Sequence, residues 1–316
     1  MGRLFIIGNG FDIANGLPTK YCDFKKYMFE EYAREYEHCM LPDIGIDNHG
    51  EIRIDKERTG RYLYQLLDFS NYCCDDIEWN YFESNLGKLQ FDYAFSESDF
   101  NEVYDKEGDI DEWRTAYNRQ NIGERINVTC RHLSDYFSDW ISTVDVNKAV
   151  AIDGLKLLMT EETLFLNFNY TKTLEEVYNI KSENICYLHG TVGEELIIGH
   201  GLSDEEIELK TELFEGKFTG AEQELKDTME ILKKDTNQVL DTHSEFFDLL
   251  EENNITEIYS YGFSFSKVDL PYIQEICERI NTENAVWYMN DYAHNDYSDE
   301  IRSCGFEGTI GWFSSK

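Results

Sequence analysis

Apolar residues in this chain gather into short unbroken runs near its start and through its second half. The runs are RLFIIG at 3–8, TLFLNF at 163–168, ICYLH at 185–189, ELIIG at 195–199, EIYSYG at 257–262 and AVWYMN at 285–290. Continuous runs of this length, rather than strict alternation, suit strands covered on both faces of a parallel sheet. Helical patterns separate several of them. TKTLEEVYNIK at 171–181 opens on a threonine that can cap a helix. Residues 204–252 are charged and punctuated by Leu and Phe. Residues 267–281 carry Leu270, Ile273, Ile276 and Ile280 at three- and four-residue steps, with Pro271 placed for the first turn.

Residues 22–160 have a different texture. They are rich in Tyr, Phe, Asp and Glu, and EWNYFESNLGKLQFDYAF and INVTCRHLSDYFSDWIS fit amphipathic helices. Residues 43–60 read as a loop or small hairpin. The expected organisation is an α/β core from 1–21 plus 161–316. A mostly helical insertion at 22–160 lies in the crossover between its first two strands, and a helical segment at 202–254 packs on the core. Parallel sheets admit long crossovers, and insertions of this kind often roof a site.

Composition sharpens this picture in three places. The chain has 316 residues, 41% hydrophobic and 15% aromatic, which suffices for a sizeable core, and its 3 prolines argue against a turn-dense all-β fold. The net charge of -35 repels nucleic acid and anionic membranes, so any anionic ligand must be held by local dipoles. The eight cysteines contain no CxxC pair, and adjacent Cys73 and Cys74 offer poor metal or disulfide geometry. The expectation is reduced thiols in a cytoplasmic protein with no zinc and no metal site. No apolar run reaches spanning length, so no membrane partner is expected.

Five chemistry-bearing stretches each follow a predicted strand: GNGFD after 3–8, NFNYT after 163–168, HGTVG after 185–189, GHG after 195–199 and GFSFSKVD after 257–262. Ligands of open parallel sheets bind at the carboxyl ends of strands, so five such stretches in corresponding places carry more weight than any one. Taken singly, each has a plainer reading. Gly8 and Gly10 fit either a strand-to-helix turn or a phosphate cradle. Asp12, Asn169 and Thr171 fit helix caps. His189 fits a satisfied buried histidine, and Ser264 and Ser266 fit turn residues. His200, flanked by glycines, is harder to read as core packing.

LFIIGNGFDIANGLPTKYCDFKKY, LNFNYTKTLEEVY, YLHG, IIGHG and YGFSFSKVD together resemble the AbiH family of bacterial proteins tied to abortive phage infection. A more distant resemblance is to sirtuin-type NAD-binding domains. These carry Gly-Ala-Gly-x-Ser then Gly-Ile-Pro, an Asn-containing strand end read Gln-Asn-Ile-Asp or Thr-Asn-Tyr-Asp, then Leu-His-Gly, then Gly-x-Ser. Gly8-Asn9-Gly10-Phe11-Asp12 with Gly16-Leu17-Pro18, Phe168-Asn169-Tyr170-Thr171, Leu188-His189-Gly190 and Gly262-Phe263-Ser264 follow in the same order.

The resemblance implies a sirtuin-like, Rossmann-type parallel sheet. Gly8, Asn9, Gly10, Phe11, Pro18, Tyr170, Thr171, Gly190, His200, Gly262 and Ser264 would bind NAD, as substrate or ligand. Asn169 would act at the ribose or orient a water, His189 as a general base, and Asp12 would stabilise positive charge developing on ribose. Two departures stand out. Asp12 occupies the position of the sirtuin serine, and the zinc cysteines of sirtuins are missing, which tells against protein deacylation more than against nucleotide hydrolysis. The leading expectation is an antiphage protein hydrolysing NAD or a related N-glycoside. The alternatives are a nucleotide-sensing module without turnover, and a metal-dependent toxin acting on nucleic acid with Asp12, His189 and His200 as ligands. A phage-derived trigger and a homo-oligomer are further expectations from resemblance.

Overall fold

The computed structural model describes residues 2–34, 41–46, 49, 52–70, 79–96, 102–291 and 295–315. Cys73 and Cys74 lie outside the described residues. The chain forms two compact units: Met1–Lys20, Ile141–Ile197 and Asp235–Lys316 make the first, and Tyr21–Trp140 with Ile198–Lys234 the second. Residues 141–160 therefore group with the sheet, and the part of the charged helical region up to Lys234 groups with the inserted helices.

The first unit is built on six parallel strands: β1 (Gly2–Ile7), β2 (Thr163–Asn167), β3 (Ile185–Tyr187), β4 (Ile255–Tyr261), β5 (Val286–Asn290) and β6 (Thr309–Phe313). Their order across the sheet is β3-β2-β1-β4-β5-β6, so the direction of strand addition reverses between β1 and β4. Alternate residues of β1 serve opposite faces. Leu4 and Ile6 join a core with Leu166, Ile258, Trp287 and Met289, whereas Phe5 and Ile7 join one with Phe165, Tyr259 and Tyr261. The first face is covered by α4 (Thr236–Thr242), α5 (Ser244–Glu252), α6 (Leu270–Arg279) and α7 (Ser298–Ser303), through residues such as Val239, Phe247, Ile273 and Ile301. The second is covered by α1 (Asn9–Ala14), α2 (Asp153–Leu158) and α3 (Thr173–Tyr178), through Phe11, Leu155, Leu174 and Tyr178. Burial on both faces is why the strands read as apolar runs.

Two sequence expectations change. Residues 195–199 form no strand. Ile197 N–H instead donates to the carbonyl of His189, and His200 makes a lone parallel bridge with Lys233 in the second unit. Three apolar residues between glycines are too few to claim a place in a sheet. Strand β6 was not expected, because an edge strand with Thr309 and Trp312 exposed offers no apolar run.

The second unit is mainly helical, with helices at Tyr21–Met28, Lys56–Ser70, Trp79–Leu86, Glu112–Arg131, Asp204–Glu215 and Glu222–Ile231, and a short antiparallel pair of Gly45–Ile46 with Ile52–Arg53. Its core includes an aromatic group in which Phe24 meets Phe82, Phe137 and Trp140. The same unit buries an ion pair, Lys234 Nζ to Glu83 at 2.7 Å, with both side chains nearly inaccessible. Removing one partner strands a buried charge. Lys234→Met should therefore lower unfolding free energy by about 3–5 kcal/mol in chemical denaturation, and a double change with Glu83→Leu should recover most of it.

The loops after β1 and β4 touch backbone to backbone. A Cβ on Gly8 would lie 2.4 Å from the Gly262 carbonyl oxygen, and one on Gly10 would lie 2.7 Å from Gly262 Cα. Gly262 itself has φ +63, the left-handed region that favours glycine. Gly262→Ala combines strain with a backbone clash, so differential scanning calorimetry should record a loss of about 2 kcal/mol or more.

Candidate functional site

The strand register brings the sequence motifs to one edge of the sheet. Ile7 is level with Asn167 and with Tyr261, and Asn167 with Tyr187. The residues that follow, Gly8–Asp12, Phe168–Thr171, Leu188–Gly190 and Gly262–Ser264, therefore leave the carboxyl ends of four adjacent strands, on both sides of the point where strand order reverses.

The first loop holds its shape with its own amides. Gly8 N–H donates to the Tyr261 carbonyl (3.1 Å), Gly10 N–H to the Gly262 carbonyl (3.0 Å) and Phe11 N–H to the Gly8 carbonyl (2.9 Å). A phosphate cradle on these groups would have to break those bonds. The glycines instead let β1 and β4 end in contact, which aims α1. Asn9 ties the loop's far side, its Nδ2 donating to the Thr19 carbonyl at 2.8 Å, across a turn whose Pro18 is exposed.

Asp12 is not the helix cap but an interior residue of α1, with Gly8 at the cap position. It is 1% exposed. Thr171 Oγ1 donates to its Oδ2 at 2.6 Å, and Thr173 Oγ1 sits 2.9 Å from Thr171 Oγ1. The other carboxylate oxygen, Oδ1, is buried with no hydrogen-bond partner. Burial pushes the Asp12 pKa up to about 6, against the lowering effect of Thr171, Thr173 and Asn169. Asn169 faces the carboxylate closely enough to lower its pKa, without completing a hydrogen bond. Both amide atoms of Asn169 are buried and unpartnered. Its backbone is fixed by its own N–H donating to Asn167 Oδ1 at 3.0 Å. Buried polar groups normally find partners, and each one left without costs about 1–3 kcal/mol.

The aromatic neighbours of Asn169 bracket His189. The His189 ring is 5.4 Å from the Phe168 ring and 6.2 Å from that of Tyr170, whose hydroxyl donates to the Ile197 carbonyl at 3.1 Å. Gly190 turns the chain with φ +78 and packs against the Glu195 carbonyl. His189 Nε2 lies 3.9 Å from Oδ1 of Asp269, a buried residue at the cap position of α6. Asp269 was not singled out from sequence, although it closes the GFSFSKVD motif. Ser264 is half-buried in the same loop. Next to it, Phe265 takes φ +49, which a bulky residue adopts only under strain of about 1–3 kcal/mol. Edge-on and tilted ring contacts with Phe263, Trp287 and Tyr297 hold it there.

His200 belongs to the second unit. Its Nε2 is 2.9 Å from the Met229 carbonyl, and its Nδ1 accepts from Leu202 N–H at 3.2 Å. That pairing fixes the neutral Nε2–H tautomer, and burial lowers its pKa to about 4. Among the described residues, no group of three or more His, Cys, Asp or Glu side chains is placed to hold a metal ion. Burial pushes the thiols of Cys130 and Cys186 up to about 12, which keeps them protonated and poor nucleophiles.

The sheet and its edge define a doubly wound α/β protein with an unsatisfied polar group where strand order reverses. The chain belongs to the AbiH family, bacteriophage abortive infection AbiH, whose model matches residues 4–291. No match was found among curated proteins or among solved structures. Among the described residues no helix is long and apolar enough to cross a membrane.

The raised pKa has a direct thermodynamic consequence. Between the unfolded value of 3.8 and about 6 the folded protein holds the Asp12 proton more tightly than the unfolded chain. The stabilisation this gives is fully present below pH 3.8 and is lost as pH rises through about 6. Asp12→Asn, which has no charge to bury, should be more stable than the native chain at pH 8 by up to about 3 kcal/mol. Urea unfolding should show that gain shrinking to nothing near pH 4.

Proposed function

We propose that the group formed by Asp12, Asn169 and His189 binds the ribose of NAD or a related N-glycoside and hydrolyses its glycosidic bond, as the activity behind this abortive-infection protein. One observation carries the reading: Asp12 Oδ1 and both amide atoms of Asn169 are buried and unpartnered at the carboxyl ends of β1 and β2. Together they offer two acceptors and one donor. A vicinal diol supplies the complement, two O–H donors and a lone pair.

The sirtuin-like resemblance gains from the same pair. Sirtuin-type sites place a serine in the first loop and an aspartate at the end of the second motif. Here the types are exchanged, Asp12 in the first loop and Thr171 in the second motif, and a hydroxyl–carboxylate bond of 2.6 Å joins the two. Asp12 is then the carboxylate of the site, moved from one strand end to the next. The strand order supports the reading too, since doubly wound sheets of this order bind dinucleotides at the reversal.

In the reaction, water adds to C1′ of the ribose. The C1′–N bond breaks with its electron pair going to the ring nitrogen, and nicotinamide leaves neutral. The proton released from water passes to His189 and on to solvent. The Asp12 carboxylate, held by Thr171, stabilises the positive charge that develops on the ribose.

Nicotinamide release from NAD by the purified protein, followed alongside binding calorimetry, tests this. Turnover is expected at neutral pH. His189→Ala should cut kcat on the order of 10²–10⁴-fold with affinity unchanged. Binding without turnover would make the site a nucleotide sensor, and neither binding nor turnover would overturn the reading.

A further inference from the structure

We infer that Asp269 is the positioning residue of His189: its carboxylate takes the imidazole Nε2–H and so fixes which ring nitrogen carries the lone pair for chemistry. The inference rests on the reading of His189 as the base of the site.

Three observations converge on it. First, His189 Nε2 and Asp269 Oδ1 stand 3.9 Å apart, with both side chains buried, so little solvent screens the pair. Catalytic hydrogen bonds are often long before ligand arrives and tighten in the complex. Second, the two oxygens of Asp269 are differentiated. Ser266 Oγ donates to Oδ2 at 2.8 Å, which turns Oδ1 toward the imidazole. The Asp269 N–H donating to the Ser266 carbonyl at 2.8 Å closes the same turn, so the carboxylate is held from its own backbone. Third, Asp269 stands at the cap position of α6 yet makes no side-chain cap bond. A carboxylate at a helix start ordinarily serves the helix amides. This one faces Ser266 and His189 instead.

The imidazole itself is gripped on its faces and edges by the rings of Phe168, Tyr170 and Tyr272. Its freedom is thus confined to the direction set by Asp269. With Nε2 protonated toward the carboxylate, Nδ1 is the basic nitrogen. It takes the proton while Asp269 stabilises the imidazolium that results. Asp269 touches no reacting atom in this scheme and acts only through the ring.

The tautomer of His189 in the native, ligand-free chain tests this without any variant and without NAD. Nitrogen-15 NMR of the imidazole should show the neutral ring as Nε2–H, and the Nδ1–H form as the major species would overturn the inference. Asp269→Asn, which keeps an acceptor for Ser266, adds a second reading. An opposite charge favours the protonated ring, so its loss should lower the His189 titration midpoint by about one unit, a tenfold change in proton affinity. An unchanged midpoint in a folded variant would equally overturn it. If NAD is turned over, the same variant should shift the acidic limb of the pH–rate profile by that amount and leave KM unchanged. A native chain that shows the expected tautomer and midpoint shift but never turns over NAD would keep the pair and discard the proposed reaction.

Discussion

The contact between the Gly8–Gly10 loop and Gly262 is the constraint on which the site depends. No side chain fits between these backbones, and the N–H groups of Gly8 and Gly10 are spent on the carbonyls of Tyr261 and Gly262. That contact joins the two central strands at the place where strand order reverses, and it sets the start of α1. Asp12, one turn into that helix, is thereby driven into the interior facing Thr171 rather than out to solvent. Glycine is therefore needed here for the approach of two loops, and the carboxylate is a consequence of where that approach points the helix.

A buried carboxylate with one satisfied and one unsatisfied oxygen costs stability at neutral pH. Proteins hold such features where function outweighs the cost. The same edge carries a second strained element, the positive φ of Phe265, four residues before Asp269. The two carboxylates are supported in parallel ways, each with one oxygen fixed by a hydroxyl, Thr171 on Asp12 and Ser266 on Asp269. The other oxygen of Asp269 lies 3.9 Å from His189 Nε2, and that of Asp12 is buried with no hydrogen-bond partner. A net charge of -35 does not attract an anionic nucleotide, and the proposed reading accordingly rests recognition on neutral sugar hydroxyls.

Much of the sheet could be read from sequence because its central strands are buried on both faces, which leaves continuous apolar runs such as LFII and TLFLN. The failures have physical causes. LIIG at 196–199 has the composition of a strand, but Ile197 N–H donates to the His189 carbonyl and no described strand pairs with it, while His200, just beyond, bonds Leu232 and Lys234. TIGWF at 309–313 is a strand whose edge position hides the pattern. In the site, Asp12, Asn169 and His189 stood out because each follows a strand end, yet nothing local revealed that Asp12 is paired with Thr171 across 159 positions. Asp269 escaped notice for the same reason, since its partner lies on another strand end. Nor did the sequence show that the first loop's amides are occupied, because that depends on the conformation of Gly262.

The most direct measurement is a crystal structure of the native chain with ADP-ribose or NAD. The account predicts a ribose whose hydroxyls lie about 2.6–3.2 Å from Asp12 Oδ1 and from the Asn169 amide. A nucleotide bound elsewhere, with Asp12 and Asn169 satisfied by ordered water, would contradict it.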